Sequence, residues 1–153
     1  MFLMMLSCGK DDDGGSNTNN KTSFISMKIN GVEWKGDVNF YSSVIGGALL
    51  AGVKRDNSDK TSTIAITLPD FNSTSKNEFT KTGKVGLLFG DQLAGSFWSA
   101  GNNSSGTGNI TVTKSKTAGG SLQVSATFTI NTKDANGKVI TVTEGVIYNA
   151  LTD

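Results

Sequence analysis

The amino-acid sequence predicts an all-β fold, an antiparallel β-sandwich of about nine or ten short strands, with a lipocalin-like β-barrel as the alternative. Three observations lead there. The chain holds 19 Gly and 1 Pro among abundant Ser, Thr, Asn, Val and Ile, a composition of short strands and tight polar turns. Its apolar residues recur with period two rather than 3.6. Its periodic stretches are separated by Asn-Gly and other turn-forming clusters. At 153 residues the chain suits one core, and its only cysteine is Cys8, so burial of apolar strand faces has to stabilise the fold without an internal disulfide.

From Phe24 the elements follow in order. In Phe24 to Asn30, Ile25, Met27 and Ile29 share the side expected to be buried. Asn30-Gly31 supplies a hairpin turn, and Val32 with Trp34 begins the return strand, placing Trp34 in the core. Strand patterns follow at Asp37 to Ile45, Ala48 to Lys54, Thr61 to Leu68, Lys84 to Phe89, Gly95 to Ser99 and Asn109 to Lys114. The clearest alternations are Ile64, Ile66, Leu68 and Ile110, Val112. The closing hairpin sets Leu122, Val124, Ala126, Phe128 and Ile130 on one face, turns at Asp134-Ala135-Asn136-Gly137 and returns from Val139 to Tyr148. Both residues of its Asn-Gly pair are expected at positive φ.

The first residues read as an address rather than as structure. Met1 to Leu6 is apolar, Ser7 is small and Cys8 follows, which resembles the end of a lipoprotein signal peptide that is cut before an acylated cysteine. Residues 1–7 are then a signal-peptide remnant, 8–22 the lipidated cysteine and its tether, and 23–153 the single all-β domain. The apolar run is short and has no Lys or Arg before it, so the start of the signal peptide is expected to lie upstream. Gly9 to Asn20 contains no apolar residue and has nothing to bury. As a flexible coil, Lys10 to Thr22 reaches on the order of 20 Å. Acyl chains contribute about 0.8 kcal/mol per buried methylene, so an acylated Cys8 would anchor the chain to a membrane without a spanning helix. Lys10-Asp11-Asp12-Asp13 resembles the acidic export signal of surface lipoproteins of the Bacteroidota, which implies display on the outer membrane.

Two further motifs carry a resemblance at the level of the domain. Lys28-Ile29-Asn30-Gly31-Val32-Glu33-Trp34 and Val142-Thr143-Glu144-Gly145-Val146-Ile147-Tyr148-Asn149 resemble the two ends of an uncharacterised lipoprotein domain family of the Bacteroidota. The resemblance implies a fold and a location. It assigns no catalytic or binding residue.

Chemistry is sparse. The chain has no histidine, which removes the commonest general base and zinc ligand and every Ser-His or Cys-His arrangement. Fourteen Lys+Arg against 13 Asp+Glu leave no basic surplus for nucleic acid. Ser73-Thr74-Ser75-Lys76 and Lys81-Thr82-Gly83 match strings of penicillin-binding enzymes, but they share one short polar stretch without the helix that chemistry requires. Gly106-Thr107-Gly108 lacks the third glycine and following helix of a dinucleotide loop. No cofactor or metal is implied. Paired carboxylates among Glu33, Asp37, Asp91 and Glu144 would suffice for glycoside hydrolysis only if two of them converge. Glu144 is expected to bond backbone groups where the strand bends at Gly145.

Aromatic residues are the best binding signal. Phe40-Tyr41 and Phe97-Trp98 are adjacent pairs, and neighbours on a strand point to opposite faces, so one member of each should leave the core. Tyr41 and Trp98 are the expected contacts, since an outward aromatic can stack on a sugar ring or a partner protein. The sequence thus predicts a non-enzymatic binding or accessory module with a glycan or protein ligand. The alternative is a carrier or inhibitor holding an apolar small molecule in a barrel whose interior is left open at Gly46, Gly47, Ala48 and Gly52.

Overall fold

The opening hairpin follows from its turn. β1 (Phe24–Ile29) and β2 (Val32–Val44) meet at Asn30 and Gly31, whose φ values of 49° and 83° give the primed turn that matches the twist of the flanking strands. Asn30 also carries the ladder beyond the end of β1. Its Nδ2 donates to the Val139 carbonyl at 3.2 Å, and its Oδ1 accepts from the Thr141 N–H at 2.8 Å.

This computed structural model describes residues 23–44, 47–55, 61–69, 74–92, 94–118 and 121–151. The lipidation and export residues Cys8, Lys10, Asp11, Asp12 and Asp13 lie outside the described residues. The remaining strands are β3 (Gly47–Arg55), β4 (Thr61–Leu68), β5 (Lys76–Phe79), β6 (Gly86–Asp91), β7 (Ser96–Gly101), β8 (Thr107–Ala118), β9 (Ser121–Lys133) and β10 (Val139–Leu151). They form one antiparallel sheet of ten strands in the order β5-β8-β9-β10-β1-β2-β3-β4-β6-β7. The sheet curls until its ends approach. Trp98 on β7 makes an isolated bridge with Asp134, Thr132 Oγ1 donates to the Ser99 carbonyl at 2.7 Å, and the Asn102 and Asn103 N–H groups donate to the carbonyls of Thr80 and Lys81. The result is the expected all-β antiparallel class in a nearly closed, barrel-like form.

The alternations anticipated for β1, β4, β8 and β9 are the ones that fill the interior. Ile25, Met27, Ile64, Ile66, Leu68, Ile110, Val112, Val124, Ala126, Phe128 and Ile130 are all buried in one cluster. At Gly52 the inner side is already occupied: a Cβ there would lie 2.8 Å from Ile25 Cδ1. The open interior expected of a carrier is therefore absent at this position, which neighbouring side chains fill.

Three local expectations are corrected. β5 has no counterpart in the sequence reading, because four residues with a single buried aromatic, Phe79, carry almost no period. Gly137 alone in the β9–β10 turn has positive φ (80°); Asp134 Oδ1 caps the N–H groups of Asn136 and Lys138, each at 2.9 Å, so the turn is a bulged loop and not a primed pair. In β10 the pairing register with β9 shifts twice, between Val142 and Gly145 and between Ile147 and Ala150, with Glu144 at φ 53° and Asn149 at φ 50°. Each bulge reverses the alternation, so burial passes from Ile140 and Val142 to Gly145 and Ile147, then to Ala150. Tyr148 is thereby left outside, 45% exposed.

Candidate functional site

Antiparallel pairing brings the β1–β2, β6–β7 and β9–β10 turns to the same end of the barrel, where they surround a cup of about 430 Å³. Trp34 on β2, Phe89 on β6, Trp98 on β7 and Ile140 on β10 form its floor. The aromatics are locked against one another: Phe89 and Trp98 stack at 4.8 Å between centroids with 19° between planes, and Trp34 meets Phe89 edge-on at 5.9 Å. Such pairs gain about 0.5–1.5 kcal/mol beyond the area they bury. Trp34 is held further by its indole N–H, which donates to Ser62 Oγ at 2.7 Å in a buried hydrogen bond. The indole N–H of Trp98 is buried without a hydrogen-bond partner among the described residues.

The rim is polar and of mixed charge. Glu33, Asp91 and Asp134 supply carboxylates, Lys54 and Lys138 ammonium groups, and Asn30 and Asn136 amides. Two of the carboxylates are fixed by the turns they cap. Asp91 Oδ1 accepts from the Ala94 N–H at 3.0 Å, and Asp134 Oδ1 accepts from two backbone N–H groups. The floor side chains are only 2–5% exposed, so a ligand here would meet their edges below and preset donors and acceptors above. Among the described residues no group of three or more His, Cys, Asp or Glu side chains could hold a metal ion.

The residues singled out by sequence divide sharply. Trp98 does not stand on an outer face. It is 2% exposed and points into the core, while its neighbour Phe97, 53% exposed, is the member of the pair that leaves it. Adjacency showed that one must face outward, and β6 decides which, because Phe89 stacks on Trp98 from inside. The backbone of Tyr41 pairs with Leu50, but its side chain lies outside the described residues. Of the four carboxylates, Glu33 and Asp91 both line the cup, whereas Asp37 lines a groove on the outer wall. Glu144 lines a smaller pocket on the outer wall together with Glu33 and lies 2.8 Å from Lys28 Nζ, so its partner is a lysine and not the backbone. That contact holds the Lys28 ammonium above its ordinary value of 10.5, first through the hydrogen bond to Glu144 and then through its charge.

The cup itself was not anticipated, because its members are scattered from Ile29 to Ile140. Its one sequence signal is the turn chemistry of Asn30-Gly31 and Asp134 to Gly137, which becomes a site only once strand order sets those turns side by side. Fold and site together define an antiparallel β-barrel-like protein with an aromatic-floored cup at one end. Comparison of the chain with protein-family models, with curated proteins and with solved structures found no match.

Proposed function

We propose that this chain is a lipid-anchored, cell-surface binding module without catalytic activity, held to the outer membrane through Cys8, and that it takes a glycan in the cup. The observation that carries the reading is the pairing of an apolar floor (Trp34, Phe89, Trp98, Ile140) with a rim of carboxylates, amides and ammonium groups. A sugar presents the same two faces, a C–H surface and a ring of hydroxyls. Cavities of roughly 300–1,000 Å³ at the mouths of barrels, apolar with a few placed polar groups, are the usual small-ligand sites. The filled interior at Gly52 and the charged rim favour this over an enclosed apolar cargo. Anchoring and surface location are supported by the Leu6-Ser7-Cys8 signal, by Lys10-Asp11-Asp12-Asp13 and by the resemblance of both end motifs to surface lipoproteins of the Bacteroidota.

The test is affinity electrophoresis of the full chain carrying Cys8→Ser through a panel of polysaccharides, with Glu33→Gln and Asn136→Ala at the rim and Phe97→Ala on the outer wall. Retardation weakened by the rim variants and untouched by Phe97→Ala supports the cup. Retardation lost only in Phe97→Ala would move the glycan site to the outer wall, and none on any polymer would refute the glycan reading.

A further inference from the structure

Among the described residues the wall of the cup has a gap between β2 and β3. Elsewhere the strand ends around it are bonded to their neighbours. Asn30 holds Val139 and Thr141, the Gln92 N–H donates to the Thr61 carbonyl at 3.1 Å, and the Trp98–Asp134 bridge ties β7 to the β9–β10 turn. The β2–β3 ladder, by contrast, begins only at Asp37 and Val53. Glu33, Trp34 and Lys35 therefore have no ladder partner on β3, whose last residues, Lys54 and Arg55, pair with Ser62 and Thr61 of β4. Trp34 closes the floor beneath this gap. Its indole passes over Gly36, where a Cβ would lie 2.6 Å from Cη2, and donates to Ser62 on β4.

The gap joins the cup to a groove on the outer wall. Lys54 lines both spaces, the cup of about 430 Å³ and a groove of about 390 Å³ that it forms with Lys35, Gly36, Asp37, Val53 and Arg55. Glu33 lines the cup on the other flank of the gap and shares a smaller pocket with Lys35. Among the described residues the side chains of Asp37, Lys54 and Arg55 make no hydrogen bond or ion pair. Two carboxylates interleaved with three cations suit hydroxyls, which both donate and accept, better than they suit an anion. We infer that cup and groove form one continuous site for an oligosaccharide: its terminal sugar sits in the cup, and the chain leaves between Glu33 and Lys54 and lies along β2 toward Asp37. The inference rests on the reading of the cup as a glycan site. It adds that the chain is recognised by its end, and that the sugars next in line are held over about 14 Å of β2 from Glu33 to Asp37.

The test uses the full chain carrying Cys8→Ser and a ladder of oligosaccharides, from two to six sugars, cut from the panel polysaccharide that retards it. In calorimetric titration the hexasaccharide should bind about tenfold tighter than the disaccharide, the gain expected from one hydrogen bond to a charged group. The double variant Asp37→Asn, Arg55→Ala changes two exposed side chains and leaves the core intact. In it the hexasaccharide should fall to the affinity of the disaccharide, whose own binding is unchanged, whereas Asn136→Ala should weaken both. On the intact polymer the number of sites should equal the number of chain ends and rise as the polymer is cleaved. The gain should persist at high salt, where ionic attraction is screened; a gain lost with salt would overturn the assignment to hydroxyls. Equal affinity for two and six sugars, a gain retained in the double variant, or sites along the polymer's interior would overturn the inference while leaving the cup as the glycan site. No retardation by any polymer would remove both.

Discussion

Gly145→Ala tests whether the bulge in β10 is there to admit Phe128. A Cβ on Gly145 would lie 2.5 Å from both the Phe128 carbonyl oxygen and its ring Cδ2, and 2.7 Å from Cε2. Favourable carbon contacts sit at roughly 3.5–4.0 Å. The ring cannot swing away, being 2% exposed within the core, and the carbonyl cannot retreat without loosening the β9–β10 ladder in which Gly145 pairs with Phe128. Overpacking costs about 1–3 kcal/mol, and a clash against ring and backbone together belongs at the upper end. Against it stands about 0.4–1 kcal/mol gained by stiffening the unfolded chain, leaving a net loss of about 2 kcal/mol. For a domain of this size that lowers Tm by roughly 6–10 °C. Urea unfolding followed through the emission of Trp34 and Trp98, both buried, measures it directly. Trimming the ring with Phe128→Leu should cost less in the Gly145→Ala background than alone. A loss below about 0.5 kcal/mol, or strict additivity of the two changes, would refute the steric account.

Two further outcomes follow from the polar contacts. Ser62→Ala strands the buried Trp34 indole N–H and should cost about 1–3 kcal/mol in urea unfolding, less when Trp34→Phe has already removed the donor; equal costs in both backgrounds would mean that the 2.7 Å contact contributes nothing. For Lys28, the folded-state pKa lies above the ordinary 10.5, so its contribution is complete at neutral pH and fades only as alkaline pH rises through the raised value. Glu144→Gln should bring the Lys28 titration, followed by NMR at its side-chain carbons, back toward 10.5; no movement would show that Glu144 is not the cause.

Most of the strand framework was legible in the residues. Ile64, Ile66 and Leu68 alternate without interruption and are buried as a set, because on a strand side-chain direction is purely local. The same rule placed Trp34 in the core. It failed where locality fails. β2 runs unbroken from Val32 to Val44 although its residues suggested two pieces, and Val32, in phase with Trp34, is 70% exposed because it projects past the rim. β10 changes phase at Glu144, beside the bend expected at Gly145, and again at Asn149, where no break was expected.

What the sequence alone determined is therefore the antiparallel all-β class, the positions of the principal turns and most of the inward faces, since each depends on a few neighbouring residues and the pleat. Only the tertiary structure decided that Phe97 faces solvent while Trp98 faces the core, that β7 returns to β9, and that Glu33, Asp91 and Asp134 surround one cup. Those outcomes depend on strand order and curl. Both are set by the packing of residues far apart in the chain, which no local pattern encodes.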